Sequence, residues 1–165
     1  MNFTCTYTPS EELLRQYHYR VKNSGIRKWL WVGVVLLVGS FIMFLYSRQL
    51  LDLVFFALGL YMGYREMTAP GKNAKKEWAD LLEKYDGEIP QITVTIDEEK
   101  AVLVKDNTEN VLLLDDVLGL YFCKDSIVLH GFSRDILLAH EGLANIDEIK
   151  AFLRKHCQNA PVYKR

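Results

Sequence analysis

The chain has 165 residues, of which 50% are hydrophobic, and its 20 basic and 21 acidic side chains leave a net charge of −1. From position 29 to position 64, however, only Arg48 and Asp52 are charged. This uneven distribution excludes a simple globule with evenly mixed surface charge, a disordered chain and a small domain held together by disulfides.

The first residues predict a strand followed by a helix. Residues 3–7 place Phe3, Cys5 and Tyr7 on one face and threonines on the other, which is typical of a half-buried strand. Residues 8–11 form a capping box with Pro9 at the first helical position. An apolar stripe then follows at Leu13, Leu14, Tyr17 and Val21. We expect the strand to pair with the C-terminal part of the chain.

Two apolar segments predict a transmembrane hairpin. Residues 29–47 carry no charge, and as a helix they rise roughly 28 Å, close to the ~30 Å core of a bilayer. A second apolar segment, 50–67, begins after a very short turn and has Asp52 near its end. Basic residues flank the outer ends of the pair, so the positive-inside rule predicts a multi-pass inner-membrane protein with both termini cytoplasmic.

The hairpin also predicts interface and packing residues. Aromatic and basic side chains are expected at the membrane interface, namely Arg27, Lys28, Trp29, Trp31, Tyr61, Tyr64 and Arg65. Small residues are expected to allow close helix approach, namely Gly33, Gly39, Gly59 and Gly63. The GxxxG spacing of Gly59 and Gly63 fits packing within the hairpin or homo-oligomerisation, and both remain open.

Beyond the hairpin the pattern changes twice. Ala69, Pro70 and Gly71 predict a break, after which residues 73–85 predict a short amphipathic helix. Alternation with a period of two then predicts an antiparallel meander with strands at 92–96, 102–104, 110–114, 119–123, 126–131 and 135–140. Asn145 and Glu148 form a capping box for a final helix whose inward residues are Ile146, Ile149, Phe152 and Leu153. A curved sheet closed by one helix is the outline of a pleckstrin-homology-like barrel.

The order of these segments resembles the YcxB-like membrane proteins of bacteria. The resemblance rests on residues 3–7 with 8–12, on the apolar hairpin, on residues 112–129, and on the closing strand and helix. It implies two transmembrane helices and a small pleckstrin-homology-like domain in a family whose function is largely uncharacterised.

The predicted fold class is therefore an α+β membrane protein. Its hairpin precedes a pleckstrin-homology-like domain, which the N-terminal strand and helix join. The predicted units are 1–28, the hairpin 29–67 (helices at about 29–47 and 50–67), a linker helix 68–87, and the domain 88–165.

The cysteines, the lack of known catalytic motifs and the charge of the C-terminal part bear on function. Cys5, Cys123 and Cys157 are expected to be reduced, and no metal, cofactor or catalytic motif is predicted. Residues 85–165 contain nine basic and fourteen acidic residues, a net of −5, which disfavours nucleic acid and anionic lipid as ligands of this domain.

The sequence thus predicts a protein in the lipid bilayer that presents its domain to an unknown protein partner, with a peptide-binding sheet edge as one mode. A homo-oligomeric channel or transporter subunit is the alternative. A membrane-bound enzyme with an unrecognised site is less favoured. The enzyme hypothesis would be favoured by a deep pocket in which Asp115 or Asp116 converges with His130 or His140, and disfavoured if those side chains diverge.

Overall fold

The computed structural model describes residues 2–22 and 26–164, with side chains except at positions 22, 26–30, 47, 50 and 52. Its strands are β1 Phe3–Tyr7, β2 Ile92–Ile96, β3 Lys100–Lys105, β4 Thr108–Leu113, β5 Val117–Phe122, β6 Ser126–Gly131, β7 Asp135–Ala139 and β8 Val162–Lys164. Its α-helices are α1 Glu11–Tyr17, α2 Ile26–Ser47, α3 Leu50–Lys84 and α4 Ile146–His156.

The first sheet joins the N-terminal strand to the three strands that follow the helices. Its order is β1-β2-β3-β4, and β1 runs antiparallel to β2 with Phe3 opposite Ile96 and Tyr7 opposite Ile92. The prediction that residues 3–7 pair with the C-terminal sheet is therefore confirmed. Helices α1, α2 and α3 form an insertion between two neighbouring strands of one α+β unit.

The second sheet has the order β7-β6-β5-β8. Strands β5, β6 and β7 form an antiparallel meander, whereas β8 runs parallel to β5. The sequence did not predict β8, which is three residues long and follows Pro161.

Two tight turns set the register of the first sheet. The Asp97 carboxylate accepts hydrogen bonds from the backbone N–H groups of Glu99 (2.9 Å) and Lys100 (2.8 Å), as an Asx turn does. Asp106 and Asn107 both have positive φ, 51° and 59°, which is the backbone twist that a two-residue hairpin requires.

The core lies between the two sheets and α4. The amide of Glu148 donates to the Asn145 side chain at 3.2 Å, as the predicted capping box requires. The helix buries Ile149, Phe152 and Leu153, and Phe152 meets Phe3 edge to face at 5.0 Å. Each large side chain buried here contributes about 1.5 to 3 kcal/mol. The predicted inward face of the final helix is correct at these three positions.

Helix α1 starts two residues later than predicted. Ser10 has extended backbone angles and accepts a hydrogen bond from Leu13 N–H at 3.3 Å, so Ser10 is the N-cap and Pro9 precedes it. The helix continues as a π-helical segment, His18–Lys22, and Val21 packs against Tyr121 and Val128 on the outer face of the second sheet.

Helix α3 is continuous through Pro70, so the predicted break at positions 69–71 and the separate linker helix are wrong. Proline has no N–H to donate, but the Thr68 hydroxyl donates to the Tyr64 carbonyl at 2.9 Å in the preceding turn. Tyr19 lies over Gly71, and Ala74 is 1% exposed. Packing of the N-terminal helical segments against α3 therefore overrides the local breaking tendency.

The transmembrane prediction is also wrong. Among the residues that the structure describes, no helix is both long enough and apolar enough to cross a membrane. In α3 the uncharged run from 53 to 64 rises about 18 Å before Arg65 and Glu66, against a bilayer core of about 30 Å. The spans, the multi-pass location and the membrane part of the fold class are corrected accordingly.

Candidate functional site

The predicted interface residues lie on the hairpin of α2 and α3. Trp31, Tyr61 and Tyr64 are exposed by 67%, 61% and 64%, and Arg65 is also exposed. Arg27, Lys28 and Trp29 lie outside the described side chains. The predicted interface role depended on the membrane spans, which the described helices do not provide.

The predicted packing glycines divide into two groups. Gly33 and Gly59 lie where α2 and α3 approach most closely: a Cβ built on Gly59 would lie 3.2 Å from the Gly33 carbonyl oxygen and 3.0 Å from Leu37 Cγ. A Cβ on Gly39 or Gly63 would meet no atom of the described chain within 4 Å. The close approach therefore centres on Gly33 and Gly59, and the Gly63 backbone borders it, because a Cβ on Gly33 would lie 3.7 Å from Gly63 N.

The hairpin exposes an extensive apolar surface. Nineteen large apolar residues with exposed side chains belong to α2 and α3, from Trp31 to Met67. Monomeric proteins in water seldom expose contiguous apolar patches larger than a few hundred Å². Exposed apolar surface of this extent is typical of interaction surfaces.

A second feature is the edge of β5, which β8 occupies. The register places Leu120 opposite Val162, Tyr121 opposite Tyr163 and Phe122 opposite Lys164. The Leu120 N–H also donates to the Pro161 carbonyl at 3.0 Å. All three residues of β8 are exposed.

An aromatic stack fixes the register of β8. The rings of Tyr121 and Tyr163 are stacked with centroids 4.7 Å apart and an interplanar angle of 17°. Both rings lie over Gly119, where an added Cβ would come within 3.3 Å of Tyr121 and 3.4 Å of Tyr163. Glycine at this position leaves room for the pair of rings.

A hydrogen-bonded chain links this stack to α1. His130 contacts Tyr121 edge to face at 6.2 Å, and its Nδ1 lies 2.6 Å from Asp135 Oδ1. The Tyr17 hydroxyl donates to Asp135 Oδ2 at 2.5 Å. Burial and, next, this hydrogen bond raise the pKa of Tyr17, so its hydroxyl stays protonated. The carboxylate positions α1 and His130 together.

A second histidine connects the π-helical segment to α3. His18 is 2% exposed, and its Nε2 lies 2.8 Å from the Glu77 carboxylate. Beside it, Tyr17, Asp135 and Glu77 border a groove of about 270 Å³ whose other lining is mostly apolar. This pair holds the C-terminal half of α3 against the domain.

The convergence that would favour the enzyme hypothesis does not occur among the described residues. His130 pairs with Asp135, whereas Asp115 and Asp116 lie exposed in a short 3₁₀ turn before β5. Among the described residues, neither aspartate shares a hydrogen bond or ion pair with His130 or His140. The described side chains of Asp115 and Asp116 thus lack the arrangement that would have favoured the enzyme hypothesis.

The sequence missed the residues of the β5 edge. Val162 and Tyr163 are good strand formers, but three residues after a proline are too few for an alternation pattern. Tyr121 was predicted only as part of a strand. Its proximity to Tyr163 depends on where the chain returns after α4.

Comparisons with protein-family models, with curated proteins and with solved structures found no match. The YcxB-like resemblance consequently stays a prediction, whereas the predicted single meander closed by one helix is corrected to two four-stranded sheets.

Proposed function

We propose that this chain is an interaction protein whose two-sheet domain binds an extended segment of a partner protein along the edge of β5. The observation that carries the proposal is β8 itself, which pairs with β5 and stacks Tyr163 on Tyr121. Addition of a strand to a sheet edge is a common mode of peptide recognition, because backbone hydrogen bonds provide affinity and side chains provide specificity.

The two strands differ in how firmly they are held. Strand β5 is six residues long and pairs with β6 on its other side, so it keeps its place without β8. Strand β8 has three residues, all of them exposed. Its release leaves the donors and acceptors of β5 open for another extended segment.

The side chains around the edge define the partner segment. An aromatic residue is required at the position of Tyr163, because Gly119 and Tyr121 provide a flat surface for a ring. A residue of the size of Val162 precedes it. The partner therefore carries an aliphatic residue followed by an aromatic residue in an extended stretch.

The test uses a fluorescent peptide with the sequence of residues 158–165 and a variant that lacks residues 161–165. We expect fluorescence anisotropy to show binding to the truncated variant and binding at least about tenfold weaker to the full chain, whose edge is occupied. Replacing the peptide tyrosine by alanine should weaken binding by about tenfold, because the stacking contact is lost.

Two further measurements keep the test decisive. The full-length Tyr163→Ala variant loosens β8 without shortening the chain, so it should bind the peptide more tightly than the wild type, whereas Tyr46→Ala, far along α2, should not. A truncated variant with a native circular dichroism spectrum and no peptide binding contradicts the proposal. Exchange of tails between two copies, seen as a dimer that truncation abolishes, also contradicts it, because the partner is then a second copy.

A further inference from the structure

Two cations lie over one aromatic ring where α4 passes the end of β5, and a third borders the same cleft. Lys150 Nζ lies 5.8 Å and the Arg154 guanidinium carbon 5.1 Å from the centroid of the Phe122 ring. Lys164 of β8 lies opposite Phe122 in the strand register. Together with Asp147 these residues line an open cleft of about 560 Å³.

The charges of this cleft are not neutralised within the domain. Over the described part of the chain, Lys150, Arg154 and Lys164 form no ion pair with a carboxylate. Cation–π contacts with Phe122 hold two of the cations in place without cancelling their charge. A positive site thus persists in a domain whose net charge from position 85 to position 165 is −5.

We infer that this cleft binds the phosphate group of a soluble phosphomonoester. With three positive groups and one negative group, the lining balances a phosphate, which carries about −1.5 to −2 at neutral pH. Arginine donates two parallel hydrogen bonds to phosphate, and lysines add point charges. The acidic remainder of the domain repels an anionic bilayer surface, whereas a small anion enters one local cleft.

The cleft also regulates the β5 edge. Lys164 belongs to β8, so all three cations surround an anion only while β8 is docked on β5. An anion bound there stabilises β8 on β5 and so weakens binding of the partner segment. Both sites depend on whether β8 is docked on β5 or released. This regulatory step rests on the proposed function, whereas the anion site does not.

The binding test uses inorganic phosphate and O-phosphoserine on the full chain, followed by NMR shifts at constant ionic strength. Lys150→Gln and Arg154→Gln should each weaken binding at least about fivefold, because each removes a charge-assisted contact. Asp147→Asn should tighten binding, since the repelling carboxylate is gone. The matched control Lys155→Gln, on the same helix but outside the cleft, should change binding by less than about twofold.

Two outcomes overturn the anion site. The first is equal phosphate affinity of Lys150→Gln, Arg154→Gln and wild type. The second is binding of the chain to vesicles containing phosphatidic acid, lost in Lys150→Gln and Arg154→Gln, without any response to the soluble probes. Because phosphate shifts are read on the full chain, a failure of peptide binding leaves this test intact.

The regulatory step has its own test. With a peptide in which glutamine replaces the lysine of position 164, phosphate should lower binding to the full chain by at least about threefold and leave binding to the truncated variant unchanged. Equal effects on both proteins, or no effect on either, overturn the regulatory step. Because the truncated variant reports on the edge alone, these failures are distinguishable from failure of the proposed function.

Discussion

Tyr17 of α1 donates a hydrogen bond of 2.5 Å to Asp135 of β7, although 118 positions of sequence separate the two residues. The Asp135 carboxylate also contacts His130. His18, the residue after Tyr17, pairs with Glu77 of α3. Adjacent residues of the N-terminal helical segments therefore connect the second sheet and the helical hairpin. The insertion is thus held to the domain by specific polar contacts.

Loss of the Tyr17 hydroxyl should lower the stability of the whole domain. Tyr17→Phe leaves the Asp135 carboxylate with one partner fewer, and a hydrogen bond to a charged group contributes about 1.5 to 3 kcal/mol. Urea unfolding at pH 7 measures the change in free energy. The control Tyr46→Phe, at a side chain 88% exposed, should leave the midpoint unchanged. Equal midpoints for both variants contradict the expectation.

The glycines of the hairpin should respond to alanine with opposite signs. Gly59→Ala places a methyl group 3.0 Å from Leu37 Cγ and 3.2 Å from the Gly33 carbonyl, so the helices must separate and stability should fall by about 1 to 3 kcal/mol. Gly63→Ala meets open space and should gain up to about 1 kcal/mol from helix propensity. Thermal unfolding of both variants in one buffer makes the comparison. A loss of similar size at both positions argues against the close approach at Gly59.

The chain should lose stability in mildly alkaline solution. Burial raises the pKa of Cys5 to about 11 and that of Cys157 to about 11, whereas an exposed thiol has a pKa near about 8.5. Between these values the unfolded chain releases protons that the folded chain retains. Stability is therefore fully present below about pH 8.5 and falls as pH rises toward about 11.

The thiol contribution can be separated by substitution. In Cys5→Ala with Cys157→Ala, the fall in unfolding free energy between those pH values should be smaller than in wild type by about 2 kcal/mol or more. Tyr7 and Tyr17 are retained in both proteins, so their raised pKa values affect wild type and variant alike. Parallel pH profiles for the two proteins exclude the thiols as the cause.

The apolar hairpin surface should drive association in aqueous buffer. Light scattering behind size exclusion should give a mass well above the 19.1 kDa of one chain when detergent is absent. Mild detergent should reduce the mass of the protein component. Replacing Val35, Val38 and Ile42 of α2 by serine should shift the distribution in the same direction, because these side chains are exposed and apolar. A single chain that is monodisperse in both buffers contradicts the expectation.

Local patterns account for the elements that were predicted well. Strands β2 and β6 have the predicted limits, because alternation in 92–96 and turn residues around 126–131 are both local signals. The N-cap of α4 is correct because Asn145 and Glu148 meet within one helical turn. The predicted limits of α3 are wrong because Gly71 and Ala74 are packed in the folded chain, and this packing outweighs the helix-breaking effect of Pro70.

No local sequence pattern predicted the candidate site. Tyr163 and Tyr121 are separated by the rest of the second sheet and by α4, and their stacking depends on a parallel return of the chain. Lys150 and Arg154 share one face of α4, but only the docking of that helix places them over Phe122. Sequence spacing reports neighbours within one element and carries no information on which elements meet.

By itself, the sequence determined the alternating strands, the capped final helix, the apolar character of the hairpin and the acidic charge of residues 85–165. These are properties of residue type and period. Only the tertiary structure decided that β1 closes the first sheet, that α3 passes unbroken through Pro70, and that β8 occupies the β5 edge. The physical reason is that backbone pairing and packing between distant segments outweigh local preferences of about 1 to 3 kcal/mol per residue.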